Sequence, residues 1–423
     1  MASPGGTAEL GTPPPTRPRG SFRRTFTALS YPNYRLWFVG QMVSLFGTWM
    51  QTTALGFLVF ELTRSPAYLG YVGFAAGAPT WVFTLHGGVV SDRVPRRTVL
   101  LVTQTSMLTL AAALAALTFT GSIRPWHILV LACLGGVANA FDGPARQALA
   151  SDLVDREDLT NAIALNSTMF NAATAVGPAA AGLVYAWFGP AWCFTLNGLS
   201  FLAVIGALLL MRLTAPAPAR RRTSTLGDLR EAIAFLVAHP VILALIGLVG
   251  TVSLLGISAT ALMPAWAVSV LHGGPKTNGL LQSARGVGGL AAAMFVASLG
   301  RVTFKGRLVT FGSFAYPSLL LVFAFMRWTP LSLVAFAGVG AGTLFVTNLC
   351  NALVQTLVPD RLRGRTMGVY TFTFFGALPI GALWIGLVAQ YAGEPQAIIA
   401  ASVLSFLVAG AVWLFAPRVR ALE

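Results

Sequence analysis

The sequence predicts an all-α integral membrane protein with twelve transmembrane helices, arranged as two parallel six-helix halves. The first indication is composition, since 56% of the 423 residues are hydrophobic and only 10% are charged. Such a balance is typical of a chain whose helices face lipid rather than water. The second is the distribution of the charged residues, and the third is an internal repeat. Together they exclude a water-soluble globular protein.

Charged residues are clustered between long apolar stretches. None lies between Arg35 and Glu61, for example. About 20 apolar residues are enough for a helix to cross roughly 30 Å of hydrocarbon. The uncharged stretch 159–211 is longer, but Gly189-Pro190 divides it into two helices. The predicted spans are 34–61, 67–90, 98–120, 126–150, 160–187, 192–212, 241–270, 278–300, 308–326, 331–356, 367–392 and 397–416.

The basic residues predict the orientation of these spans. With both chain ends placed in the cytoplasm, nearly all of the 28 lysines and arginines lie in or beside cytoplasmic segments. The exceptions are Arg64, Arg124, Lys276 and Arg327, predicted outside, and Arg285, predicted within a helix. This arrangement satisfies the positive-inside rule. The net charge of +15 therefore indicates topology and contact with anionic membrane lipids, and no nucleic-acid binding is expected.

The segments outside the spans divide the chain into domains. Residues 1–30 are rich in Pro, Gly, Thr and Arg and predict a disordered cytoplasmic tail. The two six-helix bundles are predicted at 31–213 and 241–417. Between them, 214–240 carries apolar residues at helical spacing, which predicts a cytoplasmic linker with an amphipathic helix on the inner membrane surface. Residues 418–423 form a short cytoplasmic tail.

The two halves resemble each other at a nearly constant offset. The matched glycines are Gly70 and Gly279, Gly77 and Gly286, and Gly182 and Gly386, at offsets of 209, 209 and 204 residues. Because six spans separate the two copies, both copies cross the membrane in the same direction. The repeat therefore predicts parallel halves.

One turn between two spans is unusually rich in charge. It reads Gly88-Val-Val-Ser-Asp92-Arg93-Val-Pro-Arg96-Arg97, with one acid and three arginines. The run resembles the loop between the second and third helices of the major facilitator superfamily, with Pro95 in place of the usual second glycine. The corresponding copy at 300–307 keeps the basic residues and lacks the acid.

Three further stretches resemble the branch of this superfamily that contains the enterobactin exporter and macrolide-efflux-type permeases. They are Pro32-Asn-Tyr-Arg-Leu-Trp37, Asp142-Gly-Pro-Ala-Arg146-Gln147 and Leu159-Thr-Asn-Ala-Ile-Ala-Leu-Asn166-Ser167. The resemblance covers about residues 30–416. It implies the major facilitator fold, in which two bundles rock about a central site that is open to one side at a time. Gly177-Pro178, followed by Gly182, partly resembles the antiporter signature of drug exporters and favours export.

The charged turn is the predicted inner gate. Its residues are Gly88, Asp92, Arg93, Arg96 and Arg97. We expect Asp92 to contact the start of the eleventh span near 365–368, where unpaired backbone donors and the helix dipole attract an anion. The acids available to the arginines are Asp152, Asp155, Glu157 and Asp158. Alternatively, these arginines serve only to fix the topology.

Three residues are candidates for proton coupling. Asp142 and Arg146 lie four residues apart on one face of the fourth span. A charge near the middle of a membrane helix costs about 2.5 to 3.5 kcal/mol, which predicts either an intrahelical ion pair or a site for a proton or cationic substrate. Glu61 is the third candidate, or else a solvated residue of the outer gate. No phosphate-binding loop for ATP occurs, so protons are the expected energy source.

Polar and aromatic residues within the spans predict the substrate cavity. The candidates are Gln41, Thr48, Trp49, Gln51, Asn139, Asn171, Gln282, Arg285, Asn351 and Tyr370. Such residues also form hydrogen bonds between helices, worth roughly 0.6 kcal/mol each, so about half are expected to touch substrate. Arg285 is always protonated and needs an acid, a carbonyl group or an anionic substrate nearby. If it faces the cavity, it favours substrates with a carboxylate or phenolate.

No enzyme chemistry, metal site or cofactor is predicted. The three cysteines and four histidines are scattered without metal-ligand spacing. Gly286-Val-Gly288 mimics part of a dinucleotide-binding fingerprint, but it lies inside an apolar span with no preceding strand.

We therefore expect a monomeric, proton-coupled exporter of amphipathic or aromatic small molecules, such as drugs, siderophores or secondary metabolites, in the bacterial cytoplasmic membrane. One alternative is a proton-coupled importer of a related solute. Another is a membrane sensor or assembly partner that transports nothing.

Overall fold

The computed structural model describes residues 22–212, 225–298 and 304–422. Across these ranges the protein consists of helices and short connections, without strands. The N-terminal half contains α1 (Pro32–Thr63), α2 (Pro66–Arg93), α3 (Arg96–Phe119), α4 (Pro125–Asp152), α5 (Leu159–Phe188) and α6 (Pro190–Leu210). The link between the halves contains α7 (Thr225–Ala238). The C-terminal half contains α8 (Pro240–Val270), α9 (Pro275–Ser298), α10 (Lys305–Phe325), α11 (Thr329–Leu357), α12 (Asp360–Ala392) and α13 (Glu394–Phe415).

Proline sets the start of many of these helices. It occupies the first turn of α1, α2, α4, α6 and α8, among others. A proline in this place removes only a backbone N–H that would have no partner within the helix, and its fixed φ suits the helical backbone. The local sequence therefore sets where these helices start. This explains why most predicted spans begin within a few residues of the observed helices.

Ten helices in the described part of the chain are long and apolar enough to cross a membrane. The predicted total of twelve also needs α2 and α9, which have 28 and 24 residues. The all-α membrane fold is confirmed, and the count of twelve spans stays a prediction.

The predicted start of the eleventh span at 367 is wrong. Helix α12 begins at Asp360, so Arg363 and Arg365 lie within its first turns. The hydrogen bonds of this helix begin at Pro359, whose carbonyl accepts from the backbone N–H groups of Leu362 and Arg363 at 2.9 and 3.0 Å. The backbone near 365–368 therefore lies inside the helix and does not supply the unpaired donors expected to attract Asp92.

The ends of the chain and the linker extend only partly into the described residues. Residues 22–30, which were predicted to belong to a disordered tail, form a short 3₁₀ segment. Its Ala28 is fully buried, and the Ala28 backbone N–H donates to the Asn161 side chain at 3.0 Å. The rest of the predicted tail (1–21), the linker residues 213–224 and part of the second copy of the charged turn (299–303) lie outside the described residues.

The two halves meet through two helix pairs, α2 with α12 and α5 with α9. Where α2 meets α12, a Cβ on Gly386 would lie 2.8 Å from the Gly70 Cα. Where α5 meets α9, a Cβ on Gly279 would lie 3.0 Å from the Gly182 Cα. Only glycine allows the backbones to approach this closely. These are the same glycines that the internal repeat relates to each other.

Helix α8 departs from regular α geometry near its middle. Its Val252–Ile257 segment is π-helical and Ser258–Leu262 is 3₁₀. The Ser258 hydroxyl donates to the carbonyl of Ser253 at 2.9 Å and to that of Leu378 on α12 at 3.1 Å. Such irregular turns are common at functional sites, and this one lies beside the central cavity.

Candidate functional site

A cavity of about 530 Å³ lies between the two halves. We call it the central cavity. Its walls come from α1, α2, α3, α4 and α6 of one half and from α8, α9 and α12 of the other. Six of the predicted cavity residues line it, namely Thr48, Trp49, Gln51, Asn139, Gln282 and Arg285.

The central cavity is closed at one end of the bundle by contacts between the halves. Besides the glycine contacts, the Ser65 hydroxyl donates to the Gln390 side chain, and the Asn278 amide donates to the Thr53 carbonyl at 3.5 Å. We call this end the far face. The other end carries the turn 92–97, the loop 153–158 and the start of α12, and we call it the basic face.

Toward the basic face the halves separate. A Cβ added to Gly73 or Gly77 of α2 would contact Ala382 or Pro379 of α12 at 2.7 and 2.8 Å. A Cβ added to Gly88, further along α2, would have no heavy atom within 4 Å, and the same holds for Gly368 of α12. The glycine contacts between α2 and α12 therefore occur toward the far face and are absent at Gly88 and Gly368, which favours a conformation that opens toward the basic face.

Arg285 is the single charged side chain among the described residues that line the central cavity. Its Nε atom is buried and has no hydrogen-bond partner, and within the described ranges Arg285 forms no ion pair. The backbone around it is tightly held, because Gly340 of α11 packs against the Arg285 carbonyl and the next residue, Gly286, packs against the Thr174 carbonyl of α5. A permanent positive charge is thus fixed in the cavity wall.

Asn197, an amide residue that sequence reasoning missed, also borders the cavity. The Asn197 amide of α6, 1% exposed, donates to the Gln51 side chain of α1 at 2.8 Å. The Asn197 side chain also accepts a hydrogen bond from the Ser200 hydroxyl at 3.1 Å. Asn197 is a single amide in an otherwise apolar helix, which is the signal that could have identified it.

Four predicted cavity residues do not line the central cavity in this conformation. Gln41 is buried elsewhere in α1, and Tyr370 is buried with its hydroxyl donating to the Thr347 carbonyl at 3.0 Å. Asn171 donates to the Ser167 carbonyl of its own helix at 2.9 Å, and Asn351 accepts from Gln355. Tyr370, Asn171 and Asn351 therefore form hydrogen bonds within or between helices, the alternative that applies to any polar residue in a membrane helix.

A second cavity, of about 640 Å³, lies between α2, α3 and α4. It belongs to one half only, and its lining is almost entirely apolar, including the exposed Val102 and Leu134. Because it touches neither Arg285 nor the opposite half, it is a groove on the outer surface of the bundle and not the central site.

Asp142 is buried between α3 and α4, with 2% of its surface exposed. Its carboxylate accepts hydrogen bonds from the Thr103 hydroxyl at 2.9 Å and the Gln104 amide at 2.8 Å, and lies 3.7 Å from the Arg146 guanidinium. The predicted pairing with Arg146 is therefore present. Asp142 lies behind the cavity wall, where it joins two helices of the same half.

Glu61 lies at the far-face end of α1 and is exposed. Its carboxylate accepts a hydrogen bond from the hydroxyl of Tyr185 on α5, which is 8% exposed. The pair connects two helices of the N-terminal half close to the contacts that close the far face. Glu61 does not line the central cavity.

The predicted inner-gate residues lie on the basic face, and they divide into two groups. Asp92 and Arg93 are exposed and form no ion pair within the described ranges. Arg96 pairs with Asp152 and donates to the Ala148 carbonyl at 3.1 Å, which agrees with one of the pairings expected from the sequence. Arg97 donates instead to the Leu209 carbonyl of α6 at 3.0 Å.

Two further clusters of polar side chains connect separate segments of the chain on the basic face. The Tyr31 hydroxyl donates to Asp158 at 2.9 Å and to Asp155 at 3.0 Å. The hydrogen bond to Asp158, desolvation and the charge of these carboxylates raise the pKa of Tyr31 to about 12. On the other half, Glu231 of α7 pairs with Arg365 and, at 2.7 Å, with Arg361 of α12. The linker helix is thus attached to the start of α12.

The comparisons with known proteins agree with this architecture. Residues 23–423 match the family described as "Transmembrane secretion effector". The chain is 28% identical to the multidrug efflux pump Tap of Mycolicibacterium fortuitum, over 89% of this chain and 94% of Tap. It is 22% identical to the staphyloferrin A transporter of Staphylococcus aureus, over 85% of this chain and 90% of that protein. It is also 27% identical to the enterobactin exporter EntS of Salmonella choleraesuis, over 84% and 86%.

A solved structure supports the fold independently of sequence. The nucleoside transporter NupG superimposes with a TM-score of 0.72 over 90% of this chain and 98% of NupG, at 13% identity. At this identity the likeness concerns the fold alone. Given the family match over nearly the whole chain and two helical halves around a central cavity, this protein is a membrane transporter that belongs to the transmembrane secretion effector family of the major facilitator superfamily.

Proposed function

We propose that the protein is a proton-coupled exporter of amphipathic or aromatic small molecules in the bacterial cytoplasmic membrane. The observation that carries the proposal is the central cavity, which contacts between the halves close at the far face. We propose that it opens at the basic face, where a Cβ on Gly88 or Gly368 would have no heavy atom within 4 Å. By the positive-inside rule the basic face is cytoplasmic, as are both chain ends. A cavity that opens to the cytoplasm can load a cytoplasmic substrate.

The cavity wall supports the proposed substrate class. It combines aromatic surfaces from Trp49, Phe201 and Phe375 with amides from Gln51 and other polar residues. Aromatic and aliphatic walls with a few oriented polar groups are typical of sites for amphipathic ligands. Two relatives are named as an efflux pump and a siderophore exporter, which supports export rather than import.

For the energy source we propose protons, with Asp142 as the carrier. It is a buried carboxylate whose partners lie on two helices, so protonation would loosen the contact between α3 and α4. One charge moving down about 100 mV supplies roughly 2.3 kcal/mol, and a tenfold concentration ratio costs about 1.4 kcal/mol. One proton per substrate therefore sustains a gradient of roughly fifty-fold.

For the inner gate we propose that Asp92 binds the start of α12 in the conformation that closes the basic face. Since the backbone near 365–368 has no free donors, the partners in this contact are arginine side chains of the first turns of α12. Gly88 leaves room for the approach, because nothing lies within 4 Å of its open side.

Proton flux on addition of substrate to vesicles of known orientation tests the proposal. The purified protein is reconstituted with one orientation, and a panel of toxic aromatic compounds is added on the side of the basic face. Export coupled to protons gives proton movement opposite to that of the substrate. Movement in the same direction would instead indicate an importer, and no flux with any compound would indicate a protein that does not transport.

A further inference from the structure

We infer that the central cavity selects amphipathic molecules that carry a negative charge, and that Arg285 is the residue that selects them. This inference rests on the proposed transport function and names the substrate class of that site. The ligand is an aromatic carboxylate, phenolate or similar anion, with its ring against the aromatic wall and its charge at the guanidinium.

The charge balance of the cavity is the first argument. Among the described lining residues Arg285 is charged and no acid accompanies it. The remaining polar groups are hydroxyls and amides, such as those of Thr80, Asn139 and Gln282. A cationic ligand would therefore meet a like charge with no compensating acid in the wall. An anionic ligand would neutralise the only charge present.

The second argument is that the Arg285 guanidinium forms no hydrogen bond or ion pair with any residue that the structure describes. Its Nε is buried without a hydrogen bond, although a buried charge in a membrane protein is normally paired. The buried acid Asp142 of the N-terminal half already has Thr103, Gln104 and Arg146 as partners. No acid occurs in α9 itself. Since no described residue supplies the counter-charge, the partner that we infer for Arg285 is the ligand.

The third argument is that Arg285 has little freedom to withdraw from the cavity. The backbone of α9 contacts α11 through the Arg285 carbonyl and Gly340, and it contacts α5 through Gly286. Both contacts leave no space for even one additional carbon atom. Gln282, one helical turn earlier, also lines the cavity, so the position of this face of α9 is fixed.

Geometry also favours a planar anionic group. A guanidinium presents several N–H donors in one plane and matches a carboxylate with two parallel hydrogen bonds. Trp49 and Phe375 provide ring faces in the same cavity. A ligand that combines an aromatic ring with a carboxylate or phenolate can therefore use both features at once.

Equilibrium binding of three matched ligands tests this inference. Naphthalene-2-carboxylate, its primary amide and 2-naphthylmethylamine share the ring and differ in charge. Binding to the full-length protein in nanodiscs at neutral pH is measured by equilibrium dialysis, with empty nanodiscs subtracted. We expect the carboxylate to bind about tenfold more tightly than the amide, because a hydrogen bond between two charged groups is stronger than one to a neutral amide. The amine is expected to bind most weakly.

Substitutions then assign the preference to one side chain. Arg285→Gln should bring the carboxylate and the amide to within about twofold of each other, whereas Arg285→Lys, which keeps the charge, should retain part of the preference. Gln282→Ala is the matched control, since it should weaken all three ligands and leave their ratio unchanged. Monodispersity and the unfolding midpoint show whether each variant is folded.

Two results would overturn the inference. One is equal or tighter binding of the amide or the amine by the unmodified protein, and the other is an unchanged preference in folded Arg285→Gln. The test is separable from that of the proposed function. If aromatic compounds are transported without a preference for anions, the proposed transport function holds and the inference about Arg285 fails. If anions bind preferentially but nothing is transported, the inference about the selectivity of the cavity holds and the proposed transport function fails.

Discussion

The two interfaces between the halves are alike at the far face and differ at the basic face. At the far face, Gly386 packs against Gly70 and Gly279 packs against Gly182, so each contact is the repeat image of the other. The next contacts along the same helices, Gly77 with Pro379 and Gly286 with Ala175, correspond as well.

No comparable symmetry occurs among the described contacts of the basic face. The N-terminal half joins its own turn and loop through Arg96 and Asp152, whereas the C-terminal half joins the linker helix through Glu231 to Arg361 and Arg365. The comparison indicates that the glycine contacts of the far face form a symmetric interface between the two bundles, which we call the symmetric bearing. At the basic face, each half is instead held together by its own ion pairs, and these differ between the halves.

The largest expected effect comes from filling the symmetric contacts. Gly386→Val and Gly279→Val should each lower the free energy of unfolding by about 3 kcal/mol, because the side chain meets backbone that cannot move aside. The two losses should be similar, since the contacts correspond. Unfolding of the purified variants in detergent measures them.

Gly206→Val is the control for these substitutions, because a Cβ at Gly206 has no heavy atom within 4 Å. It should be close to the unmodified protein in stability. If the two interface variants differed strongly from each other, the symmetric bearing would be contradicted.

Asp142→Asn should have the next largest effect, with a loss of about 2 kcal/mol of stability. The substitution removes the charge that holds Arg146 and replaces one acceptor by a donor opposite Thr103 and Gln104. Thermal unfolding measures the structural part. Transport measured against pH measures the coupling part, since loss of the pH dependence in a folded variant is expected if Asp142 carries the proton. Unchanged dependence on pH would assign Asp142 a structural role alone.

Asp92→Asn should leave expression and stability intact and reduce transport about tenfold, equivalent to roughly 1.4 kcal/mol. The reason is that the side chain is exposed in the open conformation and acts only when the basic face closes. Glu157→Gln, which removes another exposed acid of the same face, is the control and should transport normally. Equal transport by both variants would remove Asp92 from the gate.

The smallest effect is expected at the linker. Glu231→Gln should cost less than about 1 kcal/mol, because the side chains of Arg361 and Glu231 are 75% and 39% exposed and solvent screens such pairs. Unfolding in low and high salt measures the difference, which should vanish in high salt. A loss that persists in high salt would indicate that α7 is held by more than these ion pairs.

Much of the architecture follows from the local sequence. Helix bounds were predictable because prolines start the helices and charged residues lie between them. The start of α12 was missed for the same reason, since Asp360 and Arg361 were interpreted as part of a loop although they begin the helix. A membrane helix can extend beyond the hydrocarbon, and charge alone does not show where the helix starts.

The site was predictable only in part. Thr48, Gln51 and Arg285 line the central cavity as expected, but Asn171 and Tyr370 do not. All of them lie at helical spacing with other polar residues, so the pattern within a helix cannot distinguish a cavity wall from an interhelical hydrogen bond. The choice depends on how each helix is rotated against its neighbours.

By itself the sequence determined the class of the protein, the positions of the helices and the relation between the halves. The signals for these are the length of each apolar stretch, the charged residues between the stretches and the repeated glycines, and each of them can be recognised one helix at a time. The tertiary structure decided which glycines touch, which end of the bundle is open and which polar side chains share a cavity. These properties depend on the rotation and separation of helices from distant parts of the chain. Arg285 belongs to both levels, because its charge is evident from the sequence, and its lack of a partner could be seen only once the surrounding helices were in place.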